Sequence, residues 1–205
     1  MVYNGTEPEV IQMSKVSWKG ATLLSPLPVV AVTCGDMERS NIITIAWTGI
    51  INSDPPKTYV SIRPERYSHK IISQTKELCI NLVPSQIIRQ VDWCGIRSGR
   101  DVDKFEKTKL KKEPCVNIAC PQIEESPLSL ECKVTDVISL GSHDMFICDI
   151  VSVNADGKLL DEQGKLHLER AGLAAYCHGE YFTLGKKIGK FGYSHAKKRT
   201  NNHKR

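Results

Sequence analysis

The amino-acid sequence predicts one β-rich domain, an antiparallel barrel with helices inserted between its strands. Six or more short apolar runs are bounded by turn residues, which is typical of antiparallel strands. Strands and helices do not alternate in the regular order of a parallel α/β sheet. No repeat or linker divides the 205 residues, and this length fits one domain. We therefore expect a domain over residues 1–194 and a basic, disordered tail over 195–205.

The first half of the chain supplies most of the predicted strands. Residues 28–34 and 42–47 are apolar runs separated by a polar turn that begins with glycine, so they predict a hairpin. A proline break precedes a third strand at 57–63. Two isoleucines among polar neighbours favour a short helix at 67–76, and the compact apolar run 78–83 predicts another strand.

The second half begins with a helix and continues with two longer strands. Apolar residues at helical spacing predict a helix over 85–94, with Ser85 as its N-cap. The glycine-punctuated stretch 95–101 is typical of a polar loop. Strands at 128–140 and 145–153 are joined through Gly141-Ser142-His143-Asp144. The sequence shows no clear element in two remaining segments, residues 107–127 and 158–193.

Charge and cysteine usage exclude several functional classes. The net charge of +5 equals the five lysines and arginines of the tail, so the body is neutral and lacks the basic stripe of a nucleic-acid-binding module. No apolar run is long enough for a membrane helix, and the first residues do not resemble a secretory signal. None of the eight cysteines forms a Cys-x-x-Cys pair, so we expect no zinc site. We expect buried, reduced thiols and a soluble cytoplasmic protein.

Three familiar catalytic or nucleotide-binding motifs are missing. The glycines at 185, 189 and 192 lack the Gly-x-Gly spacing of a Rossmann fingerprint. The sequence also contains no phosphate-binding Gly-x4-Gly-Lys-Ser/Thr loop and no Gly-x-Ser-x-Gly nucleophile elbow. Classical dinucleotide-binding, phosphate-loop and hydrolase folds are therefore excluded.

Three segments that flank strands carry most of the candidate polar and aromatic side chains. NIITIAWTG (41–49) has Asn41 at its start and Trp47 at its end, and SIRPERYSH (61–69) combines arginines with hydroxyls before a helix start. Arginines and helix N-termini both favour a phosphate dianion. SGRDVDKF (98–105) adds a loop with a flexible Gly99 and two cationic residues, Arg100 and Lys104, beside two aspartates. Each segment alone also fits a solvated turn or, for the tryptophan, a core residue.

Taken together and in order, these segments resemble the flavin reductase-like, FMN-binding split-barrel family, and specifically its flavoredoxin-like branch. The resemblance covers residues 22–194 and includes, besides the first two segments, the blocks VDWCGIRSGRDVDKF, LGSHDMFICDIVSV and YFTLGKKIGKFGYS. It implies a six-stranded Greek-key split β-barrel that binds FMN near the interface of a homodimer.

The resemblance also implies which residues contact the cofactor. The first segment would line the isoalloxazine ring, the second would hold the phosphate and ribityl groups, and an aromatic near the C-terminus, Tyr176 or Tyr181, would close the pocket. The implied FMN-binding residues are Asn41, Thr44, Trp47, Thr48, Ser61, Arg63, Tyr67, Ser68, Lys104, His143 and Tyr176. No catalytic side chain is expected, because the redox chemistry resides in the flavin.

Three functions remain open at this point. The first is an FMN-dependent oxidoreductase that accepts hydride from NAD(P)H and passes electrons on. The second is an electron carrier that exchanges electrons with another redox protein and has little NAD(P)H activity. The third, a ligand-binding barrel without flavin, is disfavoured by the polar set Asn41, Arg63, Ser68, Lys104 and His143. No nucleic-acid or membrane partner is expected.

Overall fold

The computed structural model of the protein describes residues 14–195. Apart from His195, the predicted basic tail lies outside these residues. The main body is mainly β with inserted helices, as the sequence predicts. The strands are β1 (Leu27–Pro28), β2 (Val30–Gly35), β3 (Ser40–Ile45), β4 (Thr48–Ser53), β5 (Pro56–Ile62), β6 (Glu77–Leu82), β7 (Lys112–Glu113), β8 (Gln122–Ile123), β9 (Leu128–Ser139), β10 (Asp144–Ala155), β11 (Ala174–Cys177) and β12 (Glu180–Thr183). The α-helices are α1 (Tyr67–Thr75), α2 (Ile88–Ile96) and α3 (Lys104–Thr108), with short 3₁₀ turns at Ser85–Ile87, Gly157–Leu159, Leu168–Arg170 and Tyr193–His195.

The barrel is a seven-stranded antiparallel sheet in the order β3-β2-β6-β9-β10-β5-β4. The expected count was six, and the additional strand is β4. Its sequence, TGIINS, gave no strand signal, because Ile50 and Ile51 lie side by side and both are exposed. The link between β3 and β4 approaches β5 where the Ser61 amide donates a hydrogen bond to the Trp47 carbonyl, 2.9 Å away.

Strand β2 is buried on both faces, which explains its largely apolar sequence. The hydroxyl of its one polar residue, Thr33, donates a hydrogen bond to the Pro121 carbonyl. Val30 and Val32 point into the barrel core together with Phe146. Val29 and Ala31 pack on the opposite side, against the apolar face of α2. The predicted burial of cysteines 34, 79 and 148 is confirmed, since all three are fully buried.

The predicted β2–β3 hairpin is present and closes through Gly35. The backbone φ of this residue is +95°, and a Cβ would lie 2.1 Å from the Arg39 carbonyl oxygen. The Asp36 carboxylate accepts hydrogen bonds from the amides of Glu38 and Arg39, at 2.9 and 2.6 Å. These bonds hold the pKa of Asp36 below its usual value. Only glycine fits the first position of this turn.

Three expectations about local structure need correction. Helix α2 continues through Gly95 and Ile96, which the sequence assigned to a loop. Ser85 does not cap this helix; it begins a 3₁₀ turn, and its amide donates to the Gly172 carbonyl. Both segments without a predicted element contain short strands, and β11 pairs with β1 and with β12 in a separate three-stranded sheet. That small sheet matters because it carries two tyrosines to the mouth of the barrel.

Candidate functional site

A cavity of about 270 Å³ lies at the barrel mouth, where β3, β5 and α2 meet the β9–β10 turn and the small sheet. We call it the aromatic cavity. The register explains the convergence: Asp144 pairs with Ile62, which brings the preceding His143 beside the end of β5. Six of the residues expected from the sequence line this cavity: Thr44, Trp47, Ser61, Arg63, His143 and Tyr176.

Three aromatic side chains form one wall of the aromatic cavity. The Trp47 and Tyr176 rings are 6.3 Å apart between centroids, and Tyr176 is 6.0 Å from Tyr181. Trp47 remains 37% exposed, so it is not a core tryptophan. The Tyr181 hydroxyl donates to Asp92, 2.8 Å away. Burial, together with Asp92, raises the pKa of Tyr181 to about 12, so this hydroxyl keeps its proton at neutral pH.

A second cavity of about 310 Å³, which we call the cationic cavity, adjoins the first and shares Ile43 and Arg66 with it. Its lining includes four other residues expected from the sequence: Asn41, Tyr67, Ser68 and Lys104. The lining contains four cationic side chains and only one carboxylate, Glu65, so its net positive charge favours an anionic group. The cations are Arg66, Arg97, Arg100 and Lys104.

The N-terminus of α1 opens into the cationic cavity at Tyr67 and Ser68. Among residues 14–195 no side chain caps this terminus, and its first turn has no acidic residue. The helix dipole and free amides therefore favour an anion here. Ser68 is buried, and its hydroxyl accepts a 2.8 Å hydrogen bond from the Asn41 side-chain amide, which ties the helix start to β3.

Two arginines of the cationic cavity are held by backbone carbonyls. Arg66 donates to Gly95, and Arg100 donates to Glu65, each at 3.2 Å. The Arg100 guanidinium also lies over the Tyr67 ring, 5.9 Å from its centroid. These contacts orient the guanidinium groups before any ligand binds, which reduces the entropy lost on binding.

Lys104 is a buried cation at the base of the cationic cavity, with 4% of its surface exposed. Its ammonium group donates to the carbonyl oxygens of Ile42, at 2.7 Å, and Cys94, at 2.6 Å. Burial lowers the pKa of Lys104 below its ordinary value. Two of its three donors therefore brace the protein, and the third remains for a ligand.

Gly99 shapes the floor of the cationic cavity. A Cβ at this position would lie 2.1 Å from the Asn41 side-chain oxygen, so the loop after α2 can approach β3 this closely only with glycine. The backbone of the loop thus lies directly against the Asn41–Ser68 pair. This close approach makes the cleft narrow at the end where the cations gather.

Thr48 is the one expected site residue that lines neither cavity. Its hydroxyl donates to the Tyr59 carbonyl, 2.5 Å away, and its side chain is buried. Several lining residues did not figure among the expected contacts, among them Arg66, Asp92, Arg97, Gly99 and Arg100. The arginines and the glycine belong to the polar segments 61–69 and 95–101. Asp92 carried no signal, because only packing of α2 brings it to Tyr181.

Within residues 14–195, no group of three or more His, Cys, Asp or Glu side chains is arranged to hold a metal ion. Over the same residues, no helix is long and apolar enough to span a bilayer.

Comparison with known proteins agrees with this architecture. Residues 23–185 match the family model of the flavin reductase like domain. The fold is similar to flavoredoxin of Desulfovibrio vulgaris (Miyazaki F), with a TM-score of 0.82 and 29% identity, covering 89% of this chain and all of that one. It is also similar to an FMN-binding protein from Thermus thermophilus, with a TM-score of 0.72 and 25% identity over 87% of this chain and 98% of the other. An NADPH-flavin oxidoreductase of Streptomyces viridifaciens is 26% identical over 73% of this chain and 78% of its own length.

The fold and cleft are those of a flavin-binding oxidoreductase. The chain belongs to the flavin reductase-like family and is flavoredoxin-like within it. The residues present fit a flavin: an aromatic cavity suits a planar heterocycle, and the adjoining cationic cavity suits an anionic tail.

Proposed function

We propose that the protein binds FMN and acts as an NAD(P)H-dependent oxidoreductase that accepts hydride onto the flavin and passes the electrons on. The observation that carries this proposal is the junction of the two cavities at Ile43 and Arg66. One continuous cleft offers a flat aromatic compartment and, next to it, a cationic compartment with a helix N-terminus. FMN has the matching parts, a tricyclic ring and a terminal phosphate.

The aromatic cavity is the compartment for the isoalloxazine ring. Trp47 and Tyr176 exclude water from the apolar part of the ring, and Ser61 and His143 supply polar groups at its edge. Tyr181, held protonated by Asp92, closes the same wall. When bound, the flavin supplies hydride acceptance and electron transfer, so the protein needs only to bind it, orient it and leave one face open.

The cationic cavity is the compartment for the phosphate. Arg66 and Arg100 are already oriented by backbone carbonyls, and the α1 N-terminus adds free amides. Arg63 lies at the boundary with the aromatic cavity, where Glu65, 3.8 Å away, is its exposed partner. We expect a phosphate dianion to displace Glu65 from this guanidinium, because two negative charges attract a cation more strongly than the single charge of a carboxylate.

We also propose a homodimer. Edge strand β4 exposes two adjacent isoleucines, Ile50 at 70% and Ile51 at 47%. Monomeric proteins avoid exposed apolar edge strands, so we expect a second copy of the chain to cover these isoleucines. Light scattering on a sizing column tests this proposal, and a monomeric mass would contradict it.

A flavoredoxin-like electron carrier is the second candidate function. The similarity to flavoredoxin of Desulfovibrio vulgaris over the whole of that chain favours it. In this alternative the same cleft holds FMN, but another redox protein supplies the electrons and NAD(P)H reacts slowly.

Visible absorption of the purified holoprotein, followed by anaerobic titration with NADH and then NADPH, tests the proposal. Flavin bands that bleach with either nucleotide are the expected result. Flavin that stays oxidised with both would assign the electron-carrier function instead. A colourless protein that does not take up added FMN would contradict both functions.

A further inference from the structure

Three thiols converge at a site away from the flavin cleft. Cys79 lies on β6, and Cys115 and Cys120 lie on the segment between β7 and β8. Cys79 and Cys120 are fully buried and pack with Ile118, whereas Cys115 is only partly buried at the edge of the same cluster. Cys115 packs directly against this cluster. None of the three lines the aromatic or the cationic cavity.

The segment from Cys115 to Cys120 is held in place by two carboxylates. Glu131, itself buried, accepts hydrogen bonds from the amides of Val116, at 2.8 Å, and Asn117, at 2.6 Å. Glu77 accepts one from the Ala119 amide, at 2.9 Å. Three amides of this short segment are therefore bound to strands β6 and β9. The segment is held as a tight loop with its two cysteines side by side.

Cys115 and Cys120 differ in burial and in the pKa of their thiols. The neighbouring thiols of Cys120 and Cys79 lower the pKa of Cys115, while its partial burial and the carboxylates of Glu131 and Glu77 oppose this effect. The hydrogen bond to Cys115 and burial raise the pKa of Cys120. A partly exposed thiol that ionises readily is a nucleophile, and a buried neighbour that keeps its proton is suited to resolve the product.

We propose that Cys115 and Cys120 form a thiol–disulfide exchange site that reacts with low-molecular-weight disulfides. The Cys115 thiolate attacks one sulfur of the external disulfide, forms a mixed disulfide and releases one small thiolate. Cys120 then gives up its proton to solvent and attacks the Cys115 sulfur, which releases the second small thiolate. Two protein thiols are oxidised to one disulfide, and one external disulfide is reduced to two thiols.

Cys79 has a supporting role in this proposal. Its thiol donates to the Asn81 side-chain oxygen, 3.8 Å away, and its place on β6 inside the sheet limits its movement. Cys120 lies on the connecting segment and can follow Cys115 more easily. The exchange does not involve the flavin, so its test does not depend on the proposed oxidoreductase function.

Peptide mapping of the full-length protein after incubation with oxidised and reduced glutathione tests the proposal. Trypsin releases Cys115, Cys120 and Cys132 in one peptide, residues 113–133, and Cys79 in another, residues 77–89. We expect residues 113–133 to lose the mass of two hydrogens and to retain one alkylatable thiol, Cys132. Reduction with dithiothreitol should restore all three thiols.

Variants separate the roles of the two cysteines. With Cys120→Ser we expect glutathione to remain attached to Cys115, and with Cys115→Ser neither the disulfide nor the adduct should form. Cys177→Ser is the matched control, because Cys177 is also partly buried but lies outside the cluster, and it should behave as wild type. The wild-type map decides the question even where a variant does not fold. Any of four results would overturn the proposal. They are full alkylation of all thiols, a disulfide between Cys79 and Cys115, a stable glutathione adduct of the wild type, and zinc bound at stoichiometry.

Discussion

The ammonium nitrogen of Lys104 lies 2.7 Å from the carbonyl oxygen of Ile42, which belongs to β3, the strand that lines both cavities. Its second bond, to the carbonyl of Cys94, joins α3 to α2 at the same point. A single buried side chain thus connects two helices to β3 at the base of the cationic cavity. The architecture of the cleft depends on this contact as much as on any group that faces the ligand.

Lys104→Met should destabilise the fold and weaken flavin binding together. The substitution leaves two buried carbonyl oxygens without donors, so we expect a loss of about 2 kcal/mol in the free energy of unfolding. Urea denaturation of the apoprotein measures it. Lys107→Met, an exposed position on the same helix, is the control and should be nearly neutral. A Lys104→Met variant as stable as wild type would show that the bonds contribute little.

Arg63→Ala should weaken FMN binding by about 1.5–3 kcal/mol, the range for a charge-assisted hydrogen bond. Fluorescence titration of the apoprotein with FMN measures this loss. Riboflavin, which lacks the phosphate, should bind the variant and the wild type equally. Arg89→Ala, an exposed arginine on α2, should leave both affinities unchanged. An unaltered FMN affinity in Arg63→Ala would remove this residue from the phosphate site.

Gly99→Ala should disrupt the cationic cavity without unfolding the barrel. The new methyl group would meet the Asn41 side-chain oxygen at 2.1 Å, so Asn41 must move and its bond to Ser68 is lost. We expect FMN affinity to fall at least tenfold, on the order of 1.4 kcal/mol. Gly157→Ala, where a Cβ meets nothing within 4 Å, is the matched control. Equal affinities in the two variants would contradict the close packing.

Thr48→Val should affect stability rather than cofactor binding. The Thr48 hydroxyl donates to the Tyr59 carbonyl and lines neither cavity. Valine has nearly the same shape, so only the hydrogen bond is removed, at a cost of about 1 kcal/mol. Denaturation and FMN titration measured on the same preparation distinguish the two effects. A loss of FMN affinity with unchanged stability would return Thr48 to the flavin site.

His167 should make stability depend on pH. Glu169, at 3.0 Å, and Asp161, at 2.8 Å, raise the pKa of this imidazole, while Arg170 opposes them. The contribution of His167 to folding stability is therefore fully present below the pKa that the imidazole has in the unfolded chain. This contribution is lost as pH rises through the higher pKa of the folded protein. The stability difference between wild type and His167→Asn should be larger at about pH 5.5 than at about pH 8.5. His195→Asn, where the imidazole contacts Ser194 instead of a carboxylate, should show no such trend.

Most of the barrel could be predicted from the sequence because its strands carry their own signals. The run from Val29 to Cys34 is apolar except for Thr33, since β2 is buried on both faces, and the turn at Gly35 is marked by a glycine that no other residue can replace. Helix α1 was equally clear from its amphipathic pattern and its polar start. Strand β4 was not, because an edge strand with exposed isoleucines lacks the alternation that identifies half-buried strands.

The sequence by itself determined which side chains surround the cleft in outline, because family blocks around Asn41, Arg63 and Lys104 stand in order along the chain. Only the tertiary structure decided what each does. Strand register brings His143 beside β5, packing of α2 brings Asp92 to Tyr181, and close approach at Gly99 narrows the cationic cavity. Thr48 and Lys104 also donate hydrogen bonds to backbone carbonyls, which the sequence did not predict. Hydrogen-bond partners distant in sequence follow from three-dimensional packing, which local residue patterns do not encode.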